Sequence, residues 1–115
     1  MKISLTRRYD FAASHRLHAP KLSAEENRRI YGKCNNPYGH GHDYTVQLTF
    51  SGPVDPVTGM VTNLADLDVF AEREMFARFD HANLNTLECF RDLVPTTENL
   101  AIEIWRIFAD RKSVV

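Results

Sequence analysis

Cys34-Asn-Asn-Pro-Tyr-Gly-His-Gly-His-Asp-Tyr-Thr-Val-Gln-Leu-Thr-Phe50 carries both a fold signal and a chemical one. From His42 onward the even positions Tyr44, Val46, Leu48 and Phe50 are apolar, and the odd ones, Asp43, Thr45, Gln47 and Thr49, are polar. Side chains on an extended chain alternate faces, so this is a strand with one face in a core. His40 and His42 continue the apolar parity. Two histidines one residue apart project from the same side of such a strand and can grip one ion, and Gly39 and Gly41 leave room beside them. Three neutral imidazoles on zinc, with the fourth position open, form a catalytic rather than a structural centre.

The third imidazole is sought upstream. Between Ile3 and Leu17 the odd positions Ile3, Leu5, Tyr9, Phe11, Ala13 and Leu17 are mostly apolar, and His15 shares their inward parity. This is a second strand. Its length predicts a bulge or bend, near Arg7-Arg8, where the alternation is weakest. If the two strands pair antiparallel, the end of the first lies beside the start of the second. His15, His40 and His42 then converge on one sheet face.

The connection between them carries a capping box, Ser23 with Glu26, that predicts a short helix stopped by Gly32, followed by a turn at Asn35-Asn36-Pro37. A connection this long in a small domain is more often functional than idle. Turn formers crowd Gly52 to Gly59, and Met60-Val61-Thr62-Asn63 reads as a short extended piece whose Asn63 caps a helix over Leu64 to Phe76. That helix would bury Leu67, Phe70, Ala71 and Met75. A loop at Asp80 to Asn85 leads to a second helix, opened by Pro95-Thr96-Thr97-Glu98, with Ala101, Ile104, Trp105 and Phe108 as its expected buried stripe. The fold class is α+β: a thin antiparallel sheet with exposed edges and a pair of helices on one face.

Composition sets the outer bounds. A chain of 115 residues predicts a single domain, 1–115, small enough that assembly into an oligomer would help bury apolar surface. With 43% hydrophobic and 25% charged residues and a net charge of −1, nothing argues for disorder, a nucleic-acid partner or a membrane surface. No long apolar run or basic-then-apolar leader is present, so a cytoplasmic protein is expected. Two cysteines, Cys34 and Cys89, are too few for a disulfide scaffold. The polar-flanked Cys34 is a candidate reactive thiol, whereas Cys89 reads as a partly buried one and His18, of outward parity, as a surface residue.

Phe11-Ala-Ala-Ser-His15-Arg-Leu, Gly32-Lys-Cys34 through Tyr44, Asp55 through Leu67, Asp80-His81-Ala-Asn-Leu-Asn85 and Pro95-Thr-Thr-Glu98-Asn, in this order, resemble 6-pyruvoyl tetrahydropterin synthase. The six-residue step from Cys34 to His40 resembles the tetrahydrobiopterin-pathway family rather than the related 6-carboxy-tetrahydropterin synthase of queuosine biosynthesis, in which it is shorter. The resemblance implies zinc on His15, His40 and His42, Cys34 as proton-abstracting base, Asp80 and His81 as its relay, and Thr96, Thr97 and Glu98 near the pterin. It implies conversion of 7,8-dihydroneopterin triphosphate to 6-pyruvoyl tetrahydropterin with loss of triphosphate, magnesium travelling with the phosphates. It also implies a tunnelling fold assembled as hexamers from two trimers, with active sites between subunits.

Two departures qualify the expectation. Asp43 stands where the family usually has Asn. Nothing after Phe108 resembles the two further strands with which the family closes its sheet, the last carrying a pterin-anchoring glutamate. The alternatives are a shortened, catalytically impaired form acting as a zinc-binding or partner-associating module, and the 6-carboxy-tetrahydropterin synthase; separately, Cys34 would be a fourth ligand if the zinc site were closed and structural. On charge alone, Arg16, Arg28 and Lys33 are candidates for contacts to the triphosphate.

Overall fold

The computed structural model describes residues 1–110 of the chain. β1 (Ile3–His15) and β2 (His40–Gly52) pair antiparallel, from Ile3 opposite Gly52 to His15 opposite His40. No residue is skipped on either strand, so the bulge expected at Arg7-Arg8 does not form. Arg7 keeps the inward parity because it meets a counter-charge there. Its Nε donates to Asp68 Oδ1 at 3.1 Å, and the Tyr9 hydroxyl donates to the same oxygen at 2.6 Å. Tyr9, Phe11, Ala13 and His15, on that face, are buried.

The helices that follow β2 supply the apolar cover of this face, whereas the one before it packs on its own connection. α1 (Ala24–Tyr31) starts at the predicted capping box, with Ser23 Oγ accepting from the Glu26 amide and Glu26 Oε1 from the Ser23 amide. A 3₁₀ turn, Gly32–Asn35, follows. Asn63 caps α2 (Leu64–Ala71), which runs through a π-helical turn, Glu72–Phe76, into α3 (Ala77–Phe79). The helical run thus extends three residues beyond the expected end. A four-residue step overshoots a 3.6-residue turn by about 40°, so Leu67, Ala71, Met75 and Phe79 would drift round a straight helix. The wider π turn absorbs the drift, and all four are buried. Phe70 is only partly buried, against Phe108 at 5.3 Å between ring centroids.

Three further expectations are corrected. The sheet is mixed, with order β2-β1-β3, because Ala82–Asn83 (β3) pairs parallel with β1 at Ala13 and Ser14. Two residues without an apolar alternation give no strand signal in sequence. They are delivered by Asp80-His81, which hydrogen-bond to the Ala12 backbone at the edge of β1. Second, α4 (Thr97–Ala109), capped by Thr96, buries Leu100, Ile104 and Phe108, whereas Ala101 and Trp105 are exposed. Leu100 and Ile107 share the helical spacing, and packing selects them. Trp105 instead borders a groove against Val46 and Leu48 of β2. Third, Met60 to Thr62 forms no strand; the Met60 carbonyl closes the preceding turn by accepting from the Asp55 amide at 3.0 Å. The segment in which the closing strands were sought falls largely on residues 111–115, outside the described residues.

The Arg7–Asp68–Tyr9 contact clamps α2 to β1, and its titration has a definite sign. The hydrogen bonds from Arg7 and then Tyr9 hold Asp68 below the usual carboxylate range, so its contribution is full above the unfolded value and is lost as pH falls through the folded one. Burial, then Asp68, pushes Tyr9 up to about 12. That contribution is complete below about 10 and is lost as pH rises toward 12. Melting temperature against pH should fall on both limbs, and Asp68→Asn should flatten the acidic one.

Candidate metal centre

His15 ends β1 with 2% of its surface exposed. Its Nδ1 lies 2.8 Å from the Pro95 carbonyl oxygen. A carbonyl can only accept, so Nδ1 carries the proton and the lone pair sits on Nε2. That atom is buried and has no hydrogen-bond partner. An unsatisfied buried polar atom is costly and rare, and a lone pair held this way, its opposite nitrogen bonded to a carbonyl, is the arrangement of a metal-binding imidazole. Burial first holds the His15 pKa below the ordinary histidine value, the Pro95 bond opposes it, and His42 and His40 add to the lowering. The neutral, ligating form is favoured.

β2 and the 3₁₀ turn bring the other donors. Cys34 Sγ is 3.5 Å from His42 Nε2, and ligand atoms of His15, Cys34 and His42 all lie within 4.8 Å of one another. His40 stands at the rim, exposed, its ring edge-on to His42 with 4.7 Å between centroids. His42 in turn packs against His15 at 4.6 Å. The structure therefore gathers His15, His42 and Cys34 tightly and sets His40 immediately beside them. Gly39 makes the approach possible: its φ is +84°, and a Cβ there would meet the His15 carbonyl oxygen at 3.2 Å. Imidazole and thiolate donors both suit zinc.

Asp80 and His81 sit at the other edge of β1. The Ala12 amide donates to Asp80 Oδ1 at 3.1 Å, and the His81 amide donates to the Ala12 carbonyl at 2.6 Å. Asp80 Oδ1 also holds His81 Nδ1 at 3.1 Å, with His81 at a φ of 60° and its side chain 83% exposed. The pair is thus both a helix-ending turn and an oriented carboxylate–imidazole couple. His81 opens onto a pocket shared with Ala12, Ser14, Gly41 and Asp43. Ala13, His42 and Ala82 line it as well, whereas Cys34 does not, and among the described residues no hydrogen bond or ion pair joins His81 to Cys34.

Thr96 caps α4, its Oγ1 accepting from the Asn99 amide at 3.1 Å. Thr97 and Glu98 are exposed in the first turn, and Thr97 borders the groove with Tyr44. This segment lies against the centre because Pro95 precedes it. Pro95 itself carries no sequence signal, since its contribution is a backbone carbonyl. Tyr44, whose hydroxyl is 3.3 Å from His15 Nδ1, was readable only as a core residue. His18 is partly buried rather than a surface residue, its Nδ1 3.2 Å from Asn35 Nδ2. Cys89 is partly buried as expected, and burial pushes its thiol up.

A family model described as 6-pyruvoyl tetrahydropterin synthase matches residues 4–113. The chain is 55% identical over 88% of its length to the 6-pyruvoyl tetrahydrobiopterin synthase of Poecilia reticulata and covers 69% of that protein. To the Homo sapiens protein of the same name it is 52% identical over 88%, covering 70%. The structure of Caenorhabditis elegans 6-pyruvoyl tetrahydropterin synthase superposes with a TM-score of 0.87 over 93% of this chain and 76% of that one, at 41% identity. No helix among the described residues is long and apolar enough to cross a membrane.

Proposed function

We propose, given that this chain belongs to the 6-pyruvoyl tetrahydropterin synthase family, that it is a zinc-dependent lyase converting 7,8-dihydroneopterin triphosphate to 6-pyruvoyl tetrahydropterin with release of triphosphate. The observation that carries this is the buried, partnerless Nε2 of His15 facing His42 and Cys34. His15, His40 and His42 would hold the metal, which when bound supplies a Lewis acid that polarises the side-chain oxygens of the substrate. Cys34, left free, takes the proton from the adjacent carbon. Pro95 and Tyr44 fix the His15 ring, so the donor set is preorganised. Thr96, Thr97 and Glu98 would flank the pterin, and magnesium would accompany the phosphates.

The Asp80-His81 couple makes no contact with Cys34 within the chain, and Cys34 does not line the pocket that His81 opens onto; this supports a shared site, in which Asp80-His81 of one copy relays the proton of a neighbour's thiol. The shape supports assembly too. The radius of gyration is 17.3 Å, against about 13 Å for a compact domain near this length. We take the single domain to be a tunnelling fold that acts as a trimer or hexamer in the cytoplasm. A second reading, a closed zinc module without catalysis, is favoured by Cys34 Sγ lying inside the ligand cluster.

The test is turnover. The zinc-loaded chain should release one triphosphate per pterin product, lose this activity to a chelator and regain it with zinc. A zinc-replete chain that leaves the substrate intact contradicts the proposal.

A further inference from the structure

We infer that the cavity between α1 and the metal centre is an oligophosphate subsite, in which Arg16, Arg28 and Lys33 hold the triphosphate chain of the substrate. This rests on the pterin-synthase reading for the identity of the substrate, and on the cavity itself for the chemistry of the ligand. The cavity measures about 400 Å³ and is lined by Arg16, Arg28, Lys33, His18, His40 and Asn35 among others, without a carboxylate. Its volume lies within the range of small-molecule sites, about 300–1,000 Å³.

Three cations meeting at one opening repel one another unless something neutralises them. Arg7, Arg8, Arg73, Arg78, Arg91 and Arg106 each have a carboxylate partner. Among the described residues, Lys2, Arg16, Lys21, Arg28, Arg29 and Lys33 have none, and of these it is Arg16, Arg28 and Lys33 that line the cavity together. The missing counter-charge is therefore looked for in a ligand, and phosphate oxygens match the forked guanidinium.

The walls are built to stay in place. Asn35, 7% exposed, donates from Nδ2 to the Leu17 carbonyl at 2.7 Å, while its own carbonyl accepts from Arg16 Nε at 3.3 Å. This ties down the inner end of the Arg16 guanidinium and leaves its terminal nitrogens for the cavity. Leu17 is held again by its amide, which donates to the Cys34 carbonyl at 2.7 Å. Beside the Ala24 and Arg28 that line the cavity, Asn27, fully buried in the same helix, donates to the carbonyls of Ala19, Leu22 and Ser23 and accepts from the Ala19 amide. That lock fixes α1 against the preceding loop and so sets where Arg28 stands.

Position links the cavity to the chemistry. His40 lies in its wall, and the His40 ring packs on His42, so the cavity begins where the metal centre ends. A substrate whose side chain reaches the metal would have its leaving triphosphate among these cations, where the charge that develops as the C–O bond breaks is stabilised.

The experiment is calorimetric titration of the zinc-loaded chain with inorganic triphosphate, alongside KM for 7,8-dihydroneopterin triphosphate. Arg28→Gln and Lys33→Gln, both at exposed positions and checked for an unchanged melting temperature, should each weaken triphosphate about tenfold and raise KM by a similar factor, as loss of one charge-assisted contact predicts. Arg29→Gln, one position along α1 and outside the cavity lining, should change both less than about twofold. Affinity for unphosphorylated dihydroneopterin should be the same in all of them. The subsite is overturned if Arg28→Gln and Lys33→Gln bind triphosphate like the parent, or if Arg29→Gln weakens it as much. Should the expected pattern appear in a chain that turns nothing over, the subsite stands and the pterin-synthase reading falls; turnover with triphosphate affinity indifferent to these residues gives the converse.

Discussion

His15→Ala is expected to strip the chain of zinc and with it of turnover. Partners that merely orient a ligand are worth about 10- to 100-fold in metal affinity, so removing a ligand should weaken zinc at least about a hundredfold. Loss of the Lewis acid removes several kcal/mol of stabilisation, on the order of a thousandfold in rate. His15 is the discriminating choice because its Nε2 has no other role: the atom is buried and bonds to nothing. Metal analysis of the purified variant reads the first effect and triphosphate release the second. A His15→Ala chain that keeps stoichiometric zinc would mean that the orphaned atom is not a ligand.

Cys34→Ala should do the opposite to the metal and the same to the rate. If the thiol is the base, zinc stays at about one per chain while turnover falls by about 10²- to 10⁴-fold, the usual worth of a positioned acid or base. Sγ lies 3.5 Å from His42 Nε2, so steric access alone does not separate base from ligand. The paired readout does. Zinc lost together with turnover would assign Cys34 to the coordination sphere, and the closed-module reading would follow.

Much of the framework is readable from alternation and spacing. The apolar parity of Tyr9, Phe11 and Ala13 and of Tyr44, Val46 and Leu48 marks two strands, and Ser23 and Asn63 announce two of the helix starts by their side-chain chemistry. The antiparallel register follows from parity plus proximity, and it places His15 opposite His40. What escapes is decided by tertiary contact. The face of α4 is ambiguous because Trp105 and Leu100 are both apolar at helical spacing, and only packing puts Leu100 inside. The expected bulge fails because Asp68, sixty-one residues from Arg7, supplies its counter-charge. β3 is invisible because Asp80 and His81 use a carboxylate and an amide to reach Ala12, and no local pattern encodes that. In the site, the histidines are legible through their side chains. The Pro95 carbonyl that sets the His15 tautomer is a backbone group, identical in every residue.

The central claim is that three imidazoles hold zinc and leave the Cys34 thiol free. Zinc K-edge absorption of the metal-loaded parent chain examines it directly. The account predicts a first shell of nitrogen and oxygen at about 2.0–2.1 Å, with no sulfur, unchanged in Cys34→Ala. A sulfur scatterer at about 2.3 Å that disappears in Cys34→Ala would contradict it.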